Sequence, residues 1–124
     1  MKFSVNQQDL QQALSYCQGV IEKRSTLPIL SNILLDVKNS QLTITATDLD
    51  LIFIHRVNNI EVLEEGKTTT TSSIMYDIVR KFSSGKKINL TLNDINKLHL
   101  ESEKSIFNLN CISASEFPLT DEDF

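Results

Sequence analysis

Thr68-Thr69-Thr70-Thr71-Ser72-Ser73-Ile74-Met75-Tyr76-Asp77-Ile78-Val79-Arg80-Lys81-Phe82 carries a short strand straight into a helix. The threonines follow a turn at Gly66, and their branched Cβ atoms suit a strand. Ser72 or Ser73 can cap what comes next. Met75, Ile78, Val79 and Phe82 then recur at i, i+3, i+4 and i+7, the apolar stripe of a helix lying on a core. Ser83-Ser84-Gly85 ends that helix. Three strands follow, Ile88-x-Leu90-x-Leu92, Leu98-x-Leu100 and Phe107-x-Leu109-x-Cys111. They are separated by turns at Asn93-Asp94 and around Ser102–Lys104, where residues of turn chemistry gather.

The upstream half has the same plan. Phe3 and Val5 alternate with Lys2 and Ser4 as a short strand. Asn6 can cap a helix with Asp9 in its first turn, where the macrodipole favours an acid. Leu10, Ala13, Leu14, Cys17, Val20 and Ile21 form its stripe, while Gln8, Gln11, Gln12, Ser15 and Gln18 make the opposite face polar but uncharged. After the loop around Pro28, strands are expected at Asn32–Val37, Gln41–Thr47 and Leu49–Val57, with turns at Asn39-Ser40 and Asp48. The last of these is apolar on both faces through Ile52, Phe53 and Ile54, which predicts cover from more than one layer. Ile60–Glu64 extends the meander. Both halves therefore read strand, helix, three strands, a repeat of pattern without alignment of residues. The predicted fold class is α+β. The final strand, Ile106–Ile112, has no later strand to cover it, and a bare edge asks for a partner. Pro118 to Phe124, with Asp121, Glu122 and Asp123 and no periodicity, reads as a linker.

Length and composition bound the function. At 124 residues and 40% hydrophobic the chain suits one domain with a core of its own, and a disordered chain is excluded. No apolar run reaches the roughly 18–20 residues of a membrane span, and the first residues run into a strand without a signal-peptide pattern. Two cysteines fit a reducing compartment, so the expected location is cytoplasmic. Twelve basic against sixteen acidic residues, a net charge of −4, speak against a nucleic-acid partner if only the sum is counted.

Catalytic chemistry finds no foothold. Asp48, Asp50 and His55 are the best acid/base or metal candidates, but Asp48 suits an Asx turn. Asp50 and His55 are an odd number of residues apart and point to opposite faces of an unbroken strand. His99 sits among Lys97 and Glu101 on a solvent face. Cys17 and Cys111 fall in apolar patterns and read as packed thiols. With three glycines and two separated cysteines, neither a phosphate loop nor a zinc site is present in the sequence. No cofactor and no metal are expected.

The cations are better organised. Lys23 and Arg24 follow the first helix, Arg80 and Lys81 close the second, and Lys86 and Lys87 lie just beyond. Cations at helix C-termini also stabilise the macrodipole by about 0.3–1 kcal/mol each. The glutamine-rich face tips the balance towards a nucleic acid, because it puts few acids where they would repel a phosphate backbone. Neutral hydrogen-bonding groups beside a few cations suit loose, sequence-independent contact. Reading bases needs fixed side chains in a groove instead.

Met1-Lys2-Phe3-Ser4-Val5, Arg24-Ser25-Thr26-Leu27-Pro28-Ile29-Leu30-Ser31-Asn32-Ile33-Leu34-Leu35, Thr45-Ala46-Thr47-Asp48-Leu49-Asp50, Arg56-Val57 and Phe117-Pro118 resemble the bacterial sliding clamp family, the beta subunit of DNA polymerase III. The resemblance covers residues 1–117, the family's first domain, with 118–124 opening an acidic linker to a second domain. It implies a DNA clamp fold, with a doubled strand–helix–three-strand unit and helices on one face of antiparallel sheets. It also implies a homodimeric ring that encircles duplex DNA without sequence specificity, tethers the polymerase as a processivity factor of chromosomal replication, and has no catalytic activity. The pocket for polymerase and clamp-loader peptides belongs to later domains.

Arg24 matches a family DNA contact, and Lys23, Arg80 and Lys81 are added by position and charge. Ile78, Phe82, Phe107 and Leu109 match the apolar cluster that closes the ring against another subunit's third domain, and Lys104 matches a cationic rim position. Ser73, Ile74 and Ile106 stand where the family is often basic. The alternative reading is a small adaptor domain that binds a protein through its exposed edge strand.

Overall fold

The structure, a computed structural model, describes residues 1–21 and 28–118. Asn6 ends β1 (Lys2–Asn6) and starts α1 (Gln7–Cys17) by accepting the Gln8 amide on its side chain at 2.9 Å, the capping geometry its sequence position predicts. Leu10, Ala13, Leu14 and Cys17 are buried beneath α1. Val20 and Ile21 lie past the helix end, in a turn whose amides bond to the Cys17 carbonyl, yet still pack on the core.

The meander that follows comprises β2 (Asn32–Lys38), β3 (Gln41–Thr47), β4 (Ile52–Val57) and β5 (Ile60–Glu64). The second half comprises β6 (Gly66–Thr71), α2 (Ser72–Val79), β7 (Lys87–Leu92), β8 (Lys97–Ser102) and β9 (Ser105–Ile112). All pairings are antiparallel, in the order β4-β3-β2-β6-β9-β8-β7-β1-β5.

The doubling holds with one strand more in the first half, where β2, β3, β4 and β5 follow the helix against β7, β8 and β9 in the second, and the halves exchange strands. β1 pairs with β7 of the second half, Val5 opposite Ile88. β6 pairs with β2 of the first half, Thr70 opposite Ile33. Each half thus sends its opening strand into the other half's meander, which neither half's local pattern could reveal. β9 spans the join: it pairs with β8 along its length and meets β6 only at Thr69–Ile112 and Thr70–Cys111. At the far ends of the order, β4 and β5 are joined through Asn58 and Asn59.

One core serves both halves. Phe3, Leu10, Leu14, Leu35, Ile44, Met75, Leu90 and Leu100 are fully buried in a single cluster. α1 packs against α2 and against β1, β3 and β4. Thr68, Thr69 and Thr70 of β6 lie in the middle of the sheet and are buried, and the hydroxyls of Thr69 and Thr70 have partners. Thr69 Oγ1 donates to the Ile112 carbonyl at 2.7 Å and accepts from Asn32 Nδ2 at 3.1 Å, and Thr70 Oγ1 donates to the Asn110 carbonyl at 3.1 Å. A buried hydroxyl is tolerated on that condition.

Two local expectations are corrected. Ser72 and Ser73 do not cap α2: Thr71 holds the cap position, its hydroxyl turns to Asn32 Oδ1, and no side chain bonds the first turn. The strand expected at Leu49–Val57 begins only at Ile52 and is an edge strand, not one covered on both sides. Asp48 Oδ1 takes the amides of Asp50 and Leu51, and Thr47 Oγ1 takes that of Leu49, so these side chains compete with the ladder and delay it. Leu49, at φ 81° and 60% exposed, sits in that turn.

Candidate nucleic-acid and subunit interfaces

The glutamines of α1 and the outer face of α2 meet in an open groove of about 500 Å³. Gln7, Gln8, Gln11 and Gln12 line it from α1, and Tyr76 and Ser84 from the other side, without a charged side chain. Gln7 ties the helices together: its Nε2 donates to Gln11 Oε1 at 2.7 Å and to the Val79 carbonyl at 2.9 Å. The polar face read from the sequence is therefore half of a groove whose other half comes from the second repeat.

Neither helix has a cation inside its last turn. Arg80 stands at the C-cap of α2, and its guanidinium turns back along the helix. It lies 4.9 Å from the Tyr76 ring centroid and 3.3 Å from Asp77 Oδ1. Lys81 is exposed beyond it. Lys87 is bound to Glu61 on the neighbouring surface, and this cation holds the Glu61 carboxyl below the usual carboxylate range. Lys23 and Arg24 lie outside the described residues. The trio Tyr76, Asp77 and Arg80 was not singled out from the sequence, although its i, i+3 and i+4 spacings could have shown it.

The ring-closing residues of the resemblance gather around α2 and β9. The Phe82 and Phe107 rings meet edge to face with centroids 5.6 Å apart. Ile78 and Leu109 are buried in this chain's own core, against which Phe107 packs. Lys104 is exposed in the β8–β9 turn, on a cleft of about 460 Å³ shared with Lys81 and Phe82. The outer edge of β9 from Ser105 to Asn110 pairs with no strand among the described residues, and Ile106 projects from it, 53% exposed. Only the end of β9 is covered, by β6, which limits the bare edge foreseen in the sequence.

The acid/base candidates do not converge. Asp48 is spent on its turn. His55 packs between Tyr16 and Phe53, its ring 5.3 Å and 6.3 Å from theirs. His99 bonds Asn108 at 2.9 Å and lies 3.8 Å from Glu101, a neighbour the sequence placed on the same solvent face. Burial pushes the Cys17 thiol up to about 12 and raises that of Cys111, as packed thiols require. Among the described residues no group of three His, Cys, Asp or Glu side chains could hold a metal, and no helix is long and apolar enough to cross a membrane.

Compared with known proteins, residues 1–121 match the family described as DNA polymerase III beta subunit, N-terminal domain. The chain belongs to that family. It is 36% identical over 124 residues to the beta sliding clamp of Caulobacter vibrioides (strain NA1000 / CB15N), covering 99% of this chain and 33% of that protein. It is 34% identical over 122 residues to the beta sliding clamp of Escherichia coli (strain K12), covering 98% and 33%. The fold superimposes on Caulobacter crescentus pol III beta with a TM-score of 0.91 at 36% identity, over 99% of this chain and 33% of that one. The chain spans about a third of the length of these clamp relatives. The helix groove and the β9 edge are two separate surfaces of this domain.

Proposed function

We propose that the chain is the first domain, residues 1–117, of a processivity factor of bacterial chromosomal replication, with residues 118–124 opening an acidic linker to a second domain. Two chains of three such domains close a ring around duplex DNA, helices towards the hole, and the ring holds DNA polymerase III to its template by topology. It catalyses nothing itself and works in the cytoplasm. Arg24, Lys23, Arg80 and Lys81 are its weak, sequence-independent DNA contacts. Phe107 and Lys104, on the buried base of Ile78, Phe82 and Leu109, present the surface that meets another subunit's third domain, while polymerase and clamp loader bind domains outside this chain.

The observation that carries this reading is a family match along residues 1–121 in a chain a third as long as its relatives. The uncharged helix groove and the open β9 edge support it, since a strand edge left bare is an invitation to sheet extension. The test replaces the first third of the Caulobacter vibrioides clamp with this chain. The hybrid is expected to stay on nicked circular DNA through gel filtration and to be lost when that DNA is linearised. A folded hybrid that remains monomeric, or that linear and circular DNA hold equally, sinks the clamp reading and leaves the adaptor domain.

A further inference from the structure

Three features of the helix groove do not follow from the family match. Gln7 is 2% exposed, both of its amide hydrogen bonds go to protein groups, and its Oε1 is buried with no partner among the described residues. The groove floor is thus an amide held in place by the two hydrogen bonds that it donates. Around it the lining is neutral: glutamine, serine and tyrosine only. Stacked on that tyrosine is the guanidinium of Arg80, half-exposed.

The way Arg80 is held decides what it can do. A guanidinium carries five N–H donors, and one contact to Asp77 at 3.3 Å leaves most of them free. The Asp77 pair is exposed and screened by solvent, so a phosphate can compete with it. The Tyr76 ring attracts the cation with its face but carries no charge. It restricts where the guanidinium points without neutralising it. A cation that would otherwise sweep freely from the helix end is kept above a groove lined with neutral hydrogen-bonding groups.

We infer that this groove is the place where the domain meets a phosphodiester backbone, with Arg80 supplying the charge, Tyr76 acting as its positioning residue and the glutamines giving neutral, water-bridged contacts. The assignment rests on the reading that the helices face duplex nucleic acid. It goes further by naming one groove and by giving Tyr76 a role.

The experiment measures binding of a short fluorescein-labelled duplex by anisotropy at low salt, and the slope of log Kobs against log salt. Each phosphate contact contributes about 0.9 to that slope. Arg80→Ala is expected to lower it by about one contact. Tyr76→Leu weakens binding several-fold, Tyr76→Phe restores it because the ring remains, and Tyr76→Leu has no further effect in the Arg80→Ala background. Gln12→Glu, at an exposed position where folding is not at stake, adds repulsion in the groove and weakens binding without touching Arg80. Wild-type slope in Arg80→Ala, or equal behaviour of Tyr76→Leu and Tyr76→Phe, overturns the groove assignment while duplex binding by the wild type keeps the broader reading intact. Absence of wild-type binding at low salt overturns both.

Discussion

Gly66 shows how one hydrogen atom can hold a join between distant parts of the chain. A Cβ built there would lie 3.0 Å from Met1 Cβ, 3.1 Å from Met1 N and 3.2 Å from Met1 Cα. Two of those atoms are backbone, fixed because the Met1 carbonyl accepts the Leu92 amide at 3.0 Å and its ammonium pairs with Glu64 at 3.2 Å. Gly66→Ala is therefore expected to cost about 1–3 kcal/mol, the range for overpacking a closed site, read as a lower urea midpoint. At Gly19 nothing lies within 4 Å of the added atom, so Gly19→Ala should leave the midpoint unchanged or raise it slightly. Cys17 gives a second residue-scale prediction. Its folded pKa, about 12, lies above the ordinary thiol value of 9.0, so the unfolded chain releases this proton first. The contribution is complete below pH about 9 and is lost as pH climbs from there towards 12. Stability should fall over that window in the wild type and fall less in Cys17→Ala, in urea titrations at stepped pH. Equal slopes for the two proteins would contradict it.

At the scale of elements, the strand β6 holds the two halves of the sheet together through hydroxyls. Thr69 both accepts from Asn32 and donates to the last carbonyl of β9. Thr69→Val keeps the shape but leaves Asn32 Nδ2 and that carbonyl short of a partner. The expected cost is about 1–3 kcal/mol, with hydrogen exchange accelerated first at the amide of Ile112, where β9 meets β6, and the Cys111 amide, which donates to the Asn96 carbonyl, affected less. Uniform acceleration across the sheet would place the loss elsewhere. The same element shows what was legible. The strand–helix order, the apolar stripes of α1 and α2 and the Asx turn at Asp48 follow from spacings of a few residues, and those were readable. The exchange of β1 and β6 between halves rests on pairings between residues dozens of positions apart, such as Val5 with Ile88, which leave no local pattern. The late start of β4 was hidden because Asp48 and Thr47 side chains outcompete an apolar run that looks like strand. For the site, the polar face of α1 was readable, but the groove was not: its second wall, Tyr76 and Ser84, comes from the other repeat.

For the whole molecule, the open question is which residues meet a partner and which only hold the domain together, and burial divides the expected interface set. Leu109 is 6% exposed within this chain's own core. A charge there removes packing before it can touch a partner, so Leu109→Asp should lower the melting temperature of the domain itself. Ile106 stands on the same strand but on the face opposite Phe107, outside the core. Ile106→Glu should leave the melt of the 124-residue chain unchanged. In the hybrid clamp the same substitution should shift sedimentation equilibrium from dimer towards monomer, because a charge buried at a new contact without a counter-ion costs its desolvation. Raising the salt will not restore the dimer, since screening does not return that solvation. A hybrid that dimerises normally with Ile106→Glu, while Phe107→Asp abolishes it, would confine the contact to the helix side of β9 and leave the outer face of the sheet free.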